Sequence, residues 1–323
     1  MKNNLSFAAR IWKCTREALP KSGRTSLWLL KIILPVSLIV RLLDYYGAIA
    51  WLAEYMHPLF NLIGLPGALA IVFITSVFLP LYASIAVMTS LVMTIREATI
   101  LTLMCLVAHN LLVECAITKK TGSSFWGMIA LRIGMAFAIA VFLNTLLPAD
   151  NTPFALLMQP EHFVSLSGVF WAWFQSSMVL IVTIVLIVTA LMILQRALTE
   201  FQLIELISRP LRPLMRLFGL PDDSPFLWIV GNVVGLAYGG AVMIDLVEEG
   251  KLSLKESNTV NYHLSISHSL LEDTLLFAAL GINWFVIIGT RLLFAMIVVW
   301  GRRLIIHLGS YQKNEKNPST SST

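Results

Sequence analysis

The stretch Ser267-His268-Ser269-Leu270-Leu271-Glu272-Asp273 sets the interpretation of the whole chain. It lies inside an apolar run, Asn258 to Leu280, that predicts a transmembrane helix. Ionisable side chains in hydrocarbon cost several kcal/mol unless they are paired or hydrated, so their presence there requires an explanation. An earlier stretch, Ala108-His109-Asn110-Leu111-Leu112-Val113-Glu114, repeats the pattern. The sequence therefore indicates a duplicated polar site within a membrane protein.

An arginine follows each carboxylate at the same spacing. Arg132 lies eighteen residues after Glu114, and Arg291 lies eighteen residues after Asp273. Each pair is centred on the loop that joins its two helices, so an antiparallel packing puts both side chains at one depth, about 13 Å from the loop. Two intramembrane ion pairs are therefore predicted. They could lock neighbouring helices together or form a gate or coupling-ion site, and these two interpretations are compatible.

The composition is that of an integral membrane protein. Of the 323 residues, 57% are hydrophobic and 13% are charged, and the mean hydropathy is +0.79; soluble chains average about 25% charged residues. The net charge of +5 comes from basic residues in short loops, as membrane topology requires, and predicts no nucleic-acid partner. Three cysteines predict no disulfide framework, and no cleavable signal is visible. Enzyme motifs are absent, so neither an enzyme nor a cofactor is predicted.

Sequence landmarks recur at a nearly constant offset and divide the chain into two repeats. Gly64-Leu65-Pro66 returns as Gly219-Leu220-Pro221, an offset of 155, while the histidine and arginine positions return at an offset of 159. The predicted organisation is a basic amphipathic segment on the inner membrane face at 1–26, a first repeat at 27–147, an external loop at 148–167, a second repeat at 168–306 and a disordered tail at 307–323.

Each repeat contains one apolar run that is interrupted near its middle. The run Ala68 to Thr94 is broken near Pro80, and the run Phe226 to Val247 is broken near Gly235. If both runs crossed the membrane, eight crossings would place basic loops outside, against the positive-inside rule. If both are re-entrant hairpins, nineteen of the 23 Lys and Arg residues fall on the cytoplasmic side. The charge distribution therefore favours hairpins.

This topology predicts an all-α integral membrane fold of two inverted repeats, each with three transmembrane helices and one re-entrant helical hairpin. Because three crossings reverse the chain, the second repeat has the opposite orientation to the first. That plan is found in secondary transporters, which bind their solute near the midplane between repeats. We expect a multi-pass protein of the cell inner membrane with both termini in the cytoplasm.

The candidate substrate- or ion-binding residues lie on the two polar helices and at the hairpin tips. The histidines are nearest to mid-bilayer, where they could relay a proton, contact a polar solute or act only as buried hydrogen-bonding groups. A half-helix that starts after Ser84 or after Gly240 would point backbone N–H groups into the protein, although the glycines could serve only close packing. The set is His109, Asn110, Glu114, His268, Ser269, Glu272, Asp273, Tyr82, Ser84, Asn232, Tyr238, Gly239 and Gly240, with Arg132 and Arg291 as ion-pair partners.

One pair in this set has the spacing of metal ligands. His268 and Glu272 are four residues apart, which places them on one helical face. A metal site in a protein usually has at least three protein ligands, and no third ligand is evident from the sequence. No metal site is therefore predicted.

The duplicated hairpins, the two Gly-Leu-Pro turns and the helices that carry His109/Glu114 and His268/Asp273 resemble the nucleoside-recognition "Gate" family of membrane proteins. That family includes the spore-maturation A and B proteins. It is related to the membrane cores of concentrative nucleoside transporters and of the ferrous-iron transporter FeoB. The resemblance covers residues 28 to 305 as two Gate-like repeats. The chain lacks the GTPase domain of FeoB and the polar hairpin sequences of nucleoside carriers, so the resemblance implies no particular solute.

Together, the residues and the resemblance favour a transporter or permease for a small polar solute, with transport coupled to H⁺ or Na⁺. A nucleoside-like compound is one candidate for the solute. The expected partners are membrane lipid and the solute, and a homo-oligomer is left open. The alternative from another class is a non-transporting scaffold or assembly protein of the spore-maturation type, in which the buried pairs are only structural. A membrane-embedded hydrolase is a third alternative.

Overall fold

The computed structural model describes residues 6–154, 165–203, 206, 209–222 and 224–316. Within these ranges the regular elements are helices, as the sequence predicted, apart from one isolated bridge between Thr94 and Pro153. The α-helices are α1 Phe7–Tyr45, α2 Ala48–Asn61, α3 Ala70–Phe78, α4 Leu81–Met88, α5 Ile95–Ala108, α6 Leu111–Lys120, α7 Phe125–Leu146, α8 Leu166–Glu200, α9 Arg212–Leu217, α10 Pro225–Val233, α11 Leu236–Glu248, α12 Leu254–Ser267, α13 Leu270–Ala279 and α14 Trp284–Lys316. Short 3-10 turns, Gly67–Leu69 and Arg209–Leu211, precede α3 and α9.

The elements α1 to α7 recur in the same order as α8 to α14. The turns after α2 and α9 show the correspondence at atomic detail, because Gly64 and Gly219 both have φ of +70°. In each turn the next residue donates its N–H to a carbonyl of the preceding helix, Leu65 to Phe60 (3.0 Å) and Leu220 to Met215 (2.8 Å). Glycine is favoured at such a helix end because it lacks the steric penalty of a left-handed residue.

The helices α5 and α12 begin five and four residues before the starts predicted from the apolar pattern. Each is preceded by a reciprocal capping box. The Thr94 hydroxyl accepts from the N–H of Glu97 while the Glu97 carboxylate accepts from the N–H of Thr94, and Ser253 and Glu256 make the same two bonds. These bonds satisfy N–H groups that would otherwise be unpaired at the helix start.

The two longest helices, α1 with 39 residues and α8 with 35, pack antiparallel. Arg10 Nη2 donates to the Glu200 carbonyl (2.6 Å) near one end, and Trp173 Nε1 donates to Ser37 Oγ (3.0 Å) near the other. At 1.5 Å per residue α1 is about 58 Å long, against about 30 Å for the hydrocarbon layer. The basic segment predicted at 1–26 is thus not separate from the first span. From Phe7 onward it is the first half of one helix, held to α8 by polar contacts.

The predicted C-terminal tail is helical in its first part, and the predicted external loop is described only at its two ends. The tail was predicted to be disordered from residue 307, but α14 continues to Lys316, and residues 317–323 lie outside the described ranges. The predicted external loop at 148–167 is described only up to residue 154 and from residue 165. Its first part is fastened to the start of α5, since the Ile95 N–H donates to Thr152 (2.8 Å) and the Phe154 N–H donates to Met93 (2.9 Å).

Both interruptions predicted in the apolar runs are present. The chain breaks between α3 and α4 at Leu79-Pro80, and between α10 and α11 at Val234-Gly235, where Gly235 has φ of +101°. The helices α3 and α4, with 9 and 8 residues, pack against each other, as do α10 and α11. A nine-residue helix is about 13 Å long, too short to cross a bilayer alone.

The half-helices begin earlier than predicted. They start at Leu81 and Leu236, so Ser84 and the pair Gly239-Gly240 lie inside α4 and α11 rather than before a helix start. A Cβ atom on Gly239 would lie only 3.1 Å from the Gly231 Cα atom of α10. These glycines therefore serve close helix packing, which was one of the two interpretations of the sequence.

The outer surface of the described helices is that of a membrane protein. Three helical stretches are long and apolar enough to span a bilayer, namely Ile95–Lys120, Phe125–Leu146 and Trp284–Leu308. Large apolar side chains are exposed along the long helices, including Trp171 and Leu186 of α8. Soluble proteins rarely expose apolar patches of this extent. The largest buried cluster instead lies between α2–α7 and the helices α13 and α14.

Candidate functional site

The site is built on a second pair of helix breaks, at His109-Asn110 and His268-Ser269. The sequence predicted continuous helices here, and that prediction is wrong at both positions. Asn110 has φ of +46° and Ser269 has φ of +53°, so each interrupts its helix. Each also donates its N–H to a neighbouring short helix, Asn110 to the Ser76 carbonyl of α3 (2.8 Å) and Ser269 to the Gly231 carbonyl of α10 (2.9 Å). Tertiary hydrogen bonds thus compensate for the left-handed conformation.

The two arginines bind the carbonyls that each break leaves unpaired. Arg132 Nε donates to the Val107 carbonyl (2.7 Å), and its Nη2 donates to the His109 carbonyl (3.1 Å). Arg291 Nε donates at 3.0 Å to the carbonyl two residues before His268, and its Nη2 donates to the His268 carbonyl. The last carbonyls of a helix otherwise lack partners, and in a membrane each would be costly.

Both predicted ion pairs are present. Arg132 Nη1 lies 2.6 Å from Glu114 Oε2, and Arg291 Nη1 lies 3.2 Å from Asp273 Oδ2. The guanidinium groups are fully buried, with 1% and 0% exposure, and the carboxylates are nearly so. Each arginine therefore joins the end of one helix, through its carbonyls, to the start of the next, through its carboxylate.

The two histidines meet across the halves of the chain. His109 Nε2 and His268 Nε2 are 3.4 Å apart. Glu114 lies beside both rings, with Oε1 at 3.0 Å from His109 Nε2 and Oε2 at 3.2 Å from His268 Nε2. The result is one shared cluster of two imidazoles and one carboxylate, rather than two separate sites.

Backbone contacts fix the orientation of both imidazole rings. His109 Nδ1 lies 3.1 Å from the carbonyls of Cys105 and Leu106, and His268 Nδ1 lies 2.8 Å from the Leu264 carbonyl. A carbonyl oxygen can only accept a hydrogen bond, so each Nδ1 carries a proton. In a neutral imidazole Nε2 then has a lone pair, which faces the other ring and the carboxylate. The two Nε2 lone pairs and the Glu114 carboxylate therefore face one another.

Two other predicted residues join the halves near this cluster. The Tyr82 hydroxyl of α4 donates to Glu272 Oε1 (2.8 Å), so Glu272 faces a tyrosine of the first half rather than His268.

The other predicted residues bond within their own helices or lie outside the described part. Asn232 is buried in α10 and donates through Nδ2 to the Trp228 carbonyl (2.8 Å). Ser84 is buried but bonds within α4, to the Leu81 carbonyl (2.6 Å). The Tyr238 side chain lies outside the described part of the structure.

The sequence of the chain is similar to that of one known family and one known membrane protein. The family described as Gate, nucleoside recognition, matches residues 26–124. A Bacillus subtilis (strain 168) relative, the uncharacterized membrane protein YvoD, is 30% identical over 268 residues, which is 81% of this chain and 85% of the relative. The chain belongs to the Gate family of membrane proteins. No solved structure matches it.

The Gate match ends just before α7. It contains His109, Asn110 and Glu114 but not Arg132, which is the partner of Glu114. The match to the relative is long enough to take in much of both halves of the chain. The residues that form the cluster therefore come from two parts of this Gate protein, and one of these parts lies beyond the family match.

The meeting of the two histidines is the feature of the site that the sequence interpretation missed. The sequence paired His268 with Glu272, four residues away, and gave no third ligand, whereas the carboxylate beside His268 in the structure is Glu114 from the other half. A signal was present in the shared offset of 159 between His109 and His268. Equivalent residues of two related halves contact each other when they lie near the axis that relates those halves.

Proposed function

We propose that this Gate protein is a transporter that carries a small polar solute across the cell inner membrane, between two inverted repeats. The observation that supports it most is the meeting of two interrupted helices, each with a buried histidine, carboxylate and arginine. Ionisable groups within a membrane are expensive and usually mark the path of a solute or an ion. Interrupted helices beside such groups are the construction used by secondary transporters.

Contacts between distant segments support the inverted arrangement. Ser257 Oγ donates to the Thr121 carbonyl (2.8 Å), and Trp300 Nε1 donates to the Leu217 carbonyl (2.9 Å). With eight crossings and a cytoplasmic N-terminus, the members of each pair would lie on opposite sides of the membrane. With two re-entrant hairpins, both members of each pair lie on the cytoplasmic side. The contact of Arg10 with Glu200 agrees with the hairpin topology for the same reason.

In this arrangement both termini are cytoplasmic and the 148–154 segment is external. The cytoplasmic side then carries the basic ends of α1 and α14 and the end of α6 with Lys119 and Lys120. The external segment contains no lysine or arginine. This distribution follows the positive-inside rule, which reflects how charged loops are handled during insertion.

The charge of the cluster supports coupling to a cation. Glu114, Glu272 and Asp273 provide three carboxylates, and Arg132 and Arg291 provide two guanidinium groups. Glu114 and Asp273 are each paired with an arginine, so Glu272 is the carboxylate of the three that has no described guanidinium partner. Glu272 is half-buried, and desolvation of an unpaired charge is costly. A cation taken up with the solute would remove that cost. We propose H⁺ or Na⁺ as the coupling ion, taken up on the side of the cluster where Glu272 meets Tyr82.

Polar groups beside the breaks could bind the solute. The Asn232 Oδ1 atom is buried and accepts no hydrogen bond from any described residue. The side chain of Ser269 lies next to Gly235 at the break between α10 and α11. An amide oxygen and a hydroxyl suit a solute with several hydroxyl or amide groups, such as a nucleoside. Tyr82, Asn110 and the helix starts after the first breaks complete the proposed binding surface.

A scaffold of the spore-maturation type explains fewer observations. Ion pairs and capped helix ends would be sufficient to lock two halves together. A locking role does not account for two imidazoles that face one carboxylate in the interior, nor for Glu272 without a described guanidinium partner, since apolar packing would be more stable. Membership of the Gate family is consistent with a transporter-like role and does not favour catalysis.

Uptake into proteoliposomes tests the proposal. The full-length protein is reconstituted and offered a panel of labelled nucleosides, nucleobases and other small polar solutes, with an imposed Na⁺ or pH gradient. We expect uptake of one solute class that collapses when an ionophore removes the gradient, and a rise in Tm with the same class. Glu272→Gln should lose uptake, while Glu249→Gln on an exposed loop should not. Folded protein that shows no uptake and no Tm shift across the panel would favour the scaffold.

A further inference from the structure

We propose that His109, Glu114 and His268 form a three-ligand site for a divalent transition-metal ion. The site is assembled from both halves of the chain, at the point where the two interrupted helices meet. One ligand atom from each of the three residues lies within 4.8 Å of the others. All three residues are buried.

The separations between the ligand atoms fit a four-coordinate metal ion. Metal–nitrogen and metal–oxygen bonds of about 2.0–2.1 Å at tetrahedral angles require ligand atoms to lie about 3.3 Å apart. The two Nε2 atoms are 3.4 Å apart, Glu114 Oε1 lies 3.0 Å from His109 Nε2, and Glu114 Oε2 lies 3.2 Å from His268 Nε2. These contacts involve both carboxylate oxygens, so a rotation of the Glu114 carboxylate is needed to bring one oxygen to the third corner of a tetrahedron. The fourth corner would be left for water or solute.

The surrounding groups are those that support metal ligands. Metal-binding histidines almost always donate the N–H of their other ring nitrogen to a carbonyl or carboxylate, which orients the ring. His109 and His268 both do so through Nδ1, to backbone carbonyls of their own helices. The Glu114 carboxylate is oriented in turn by Arg132. Both Nε2 lone pairs are thus already directed at the position of the ion.

The ligand types indicate which metal. Two imidazole nitrogens and one carboxylate suit Zn²⁺ and related first-row ions, whereas Ca²⁺ and Mg²⁺ prefer oxygen ligands. A positive ion would also relieve the repulsion between the two Nε2 lone pairs and the Glu114 carboxylate, beyond what the ion pair with Arg132 already offsets. We therefore assign the site to Zn²⁺ or a similar first-row cation rather than to an alkaline-earth ion.

This site stands apart from the proposed transport function. A metal ion bound there would join the break of α5/α6 to the break of α12/α13 whether or not a solute crosses. Metal binding is measured on detergent-solubilised protein and transport on proteoliposomes, so each can fail without the other. Solute uptake by a protein that binds no Zn²⁺ in the titration would support the transport proposal and reject the metal site. Zn²⁺ binding by a protein that takes up no solute would support the metal site and reject the transport proposal.

The test is a metal titration of the full-length protein after treatment with a chelator. Bound Zn²⁺ is counted per chain after gel filtration, and the absorption spectrum of Co²⁺ reports the coordination geometry. We expect one Zn²⁺ per chain, a four-coordinate Co²⁺ spectrum and a rise in Tm with Zn²⁺. His109→Gln, Glu114→Gln and His268→Gln should each weaken Zn²⁺ binding by about 100-fold or more, since even supporting residues contribute about 10- to 100-fold.

Two histidines outside the cluster provide matched controls. His263 is buried against Trp228 and Ser267, and His307 is exposed near the end of α14. His263→Gln and His307→Gln should keep the Zn²⁺ stoichiometry and the Co²⁺ spectrum. Wild-type protein that binds no Zn²⁺ would overturn the proposal, whatever the variants do. So would binding that survives all three cluster variants, or that His307→Gln abolishes, because the ion would then lie on the surface.

Discussion

The two halves of the chain carry the same polar residues at equivalent positions but use them differently. In the second half, Asp273 forms one ion pair with a described residue, at 3.2 Å from Arg291. In the first half Glu114 pairs with Arg132 at 2.6 Å and also lies beside both histidines. The side chain of glutamate is one methylene longer, which allows its two oxygens to reach past the arginine. The difference between glutamate and aspartate at this position thus places the shared cluster on Glu114 of the first half rather than on Asp273.

The comparison separates two sets of residues. Those that are equivalent in both halves hold the interrupted helices together, and those that differ form the cluster between the histidines. The arginines, the capped helix ends and the left-handed breaks are the same in both halves. At the point where the halves meet, Glu114 corresponds to the shorter Asp273, and Val113 corresponds to Glu272, which bonds to Tyr82. Changes that affect both halves alike should therefore alter stability, whereas changes at Glu114 should alter what the cluster binds.

The largest effect should come from removing an arginine. Arg132→Gln and Arg291→Gln each leave a buried carboxylate and two helix-end carbonyls unpaired, which in soluble cores costs about 3–5 kcal/mol. Unfolding in detergent by heat or denaturant should show a strong loss for both. Arg132→Gln should be the worse, because Glu114 also orients the histidines.

A double-mutant cycle checks that the loss comes from the pair. Asp273→Asn with Arg291→Gln should be less damaged than Arg291→Gln alone, since no buried charge is left unpaired. If the two single effects simply add, the side chains are not energetic partners.

Exchanging the carboxylate lengths sharpens the comparison further. Glu114→Asp should keep the ion pair with Arg132 but withdraw from the histidines, and should weaken Zn²⁺ binding by about 10- to 100-fold. Asp273→Glu lies in the other half and should leave Zn²⁺ binding within about threefold of wild type, which is less than 1 kcal/mol. Equal losses in the two variants would mean that the cluster is not centred on Glu114.

The capping boxes should have equal and moderate effects. Thr94→Ala and Ser253→Ala each remove the side chain that caps α5 or α12, and each should cost about 1 kcal/mol of unfolding free energy. Thr145→Ala, at an exposed position within α7, serves as a control and should cost less, because the Thr145 hydroxyl donates to a carbonyl of its own helix. A large difference between the two cap variants would contradict the equivalence of the halves.

The smallest effect concerns the left-handed residues. Ser269→Gly should stabilise the protein by up to about 1 kcal/mol, because a non-glycine residue in this conformation is strained by about 1–2 kcal/mol and glycine is not. Asn110→Gly should gain less, since asparagine tolerates positive φ better than serine. Thermal unfolding of the two variants side by side measures the difference. A loss of stability in Ser269→Gly would show that its side chain is required at the break.

The sequence was most informative where local chemistry dictates structure. Pro80 and Gly235 marked the first pair of interruptions because proline and glycine end helices by themselves. The equal spacing of Glu114 from Arg132, and of Asp273 from Arg291, was enough to predict both ion pairs. The helix starts could also have been found, because Thr94 with Glu97 and Ser253 with Glu256 have the spacing of a capping box.

The second pair of interruptions could not be found in the same way. Asn110 and Ser269 carry no strong helix-ending signal, and each adopts its conformation because a carbonyl of another helix accepts its N–H. The arginines that accommodate the broken helix ends are more than twenty residues away in the chain. A break that depends on distant partners becomes visible only when the packing is known, and the shared cluster depends on both breaks.

The central claim is that the two halves have opposite orientations, so that their breaks meet within the membrane. Cysteine accessibility in intact cells tests it directly, with Lys120→Cys, Lys251→Cys and Asn151→Cys made in a cysteine-free background and a membrane-impermeant reagent. All three positions are exposed, whereas Thr121 is buried and would be a poor probe. We expect labelling of the cysteine at 151 in intact cells, and labelling at 120 and 251 only after permeabilisation. Labelling at 120 from outside, with protection at 151, would mean that the apolar runs cross the membrane and would contradict the inverted arrangement.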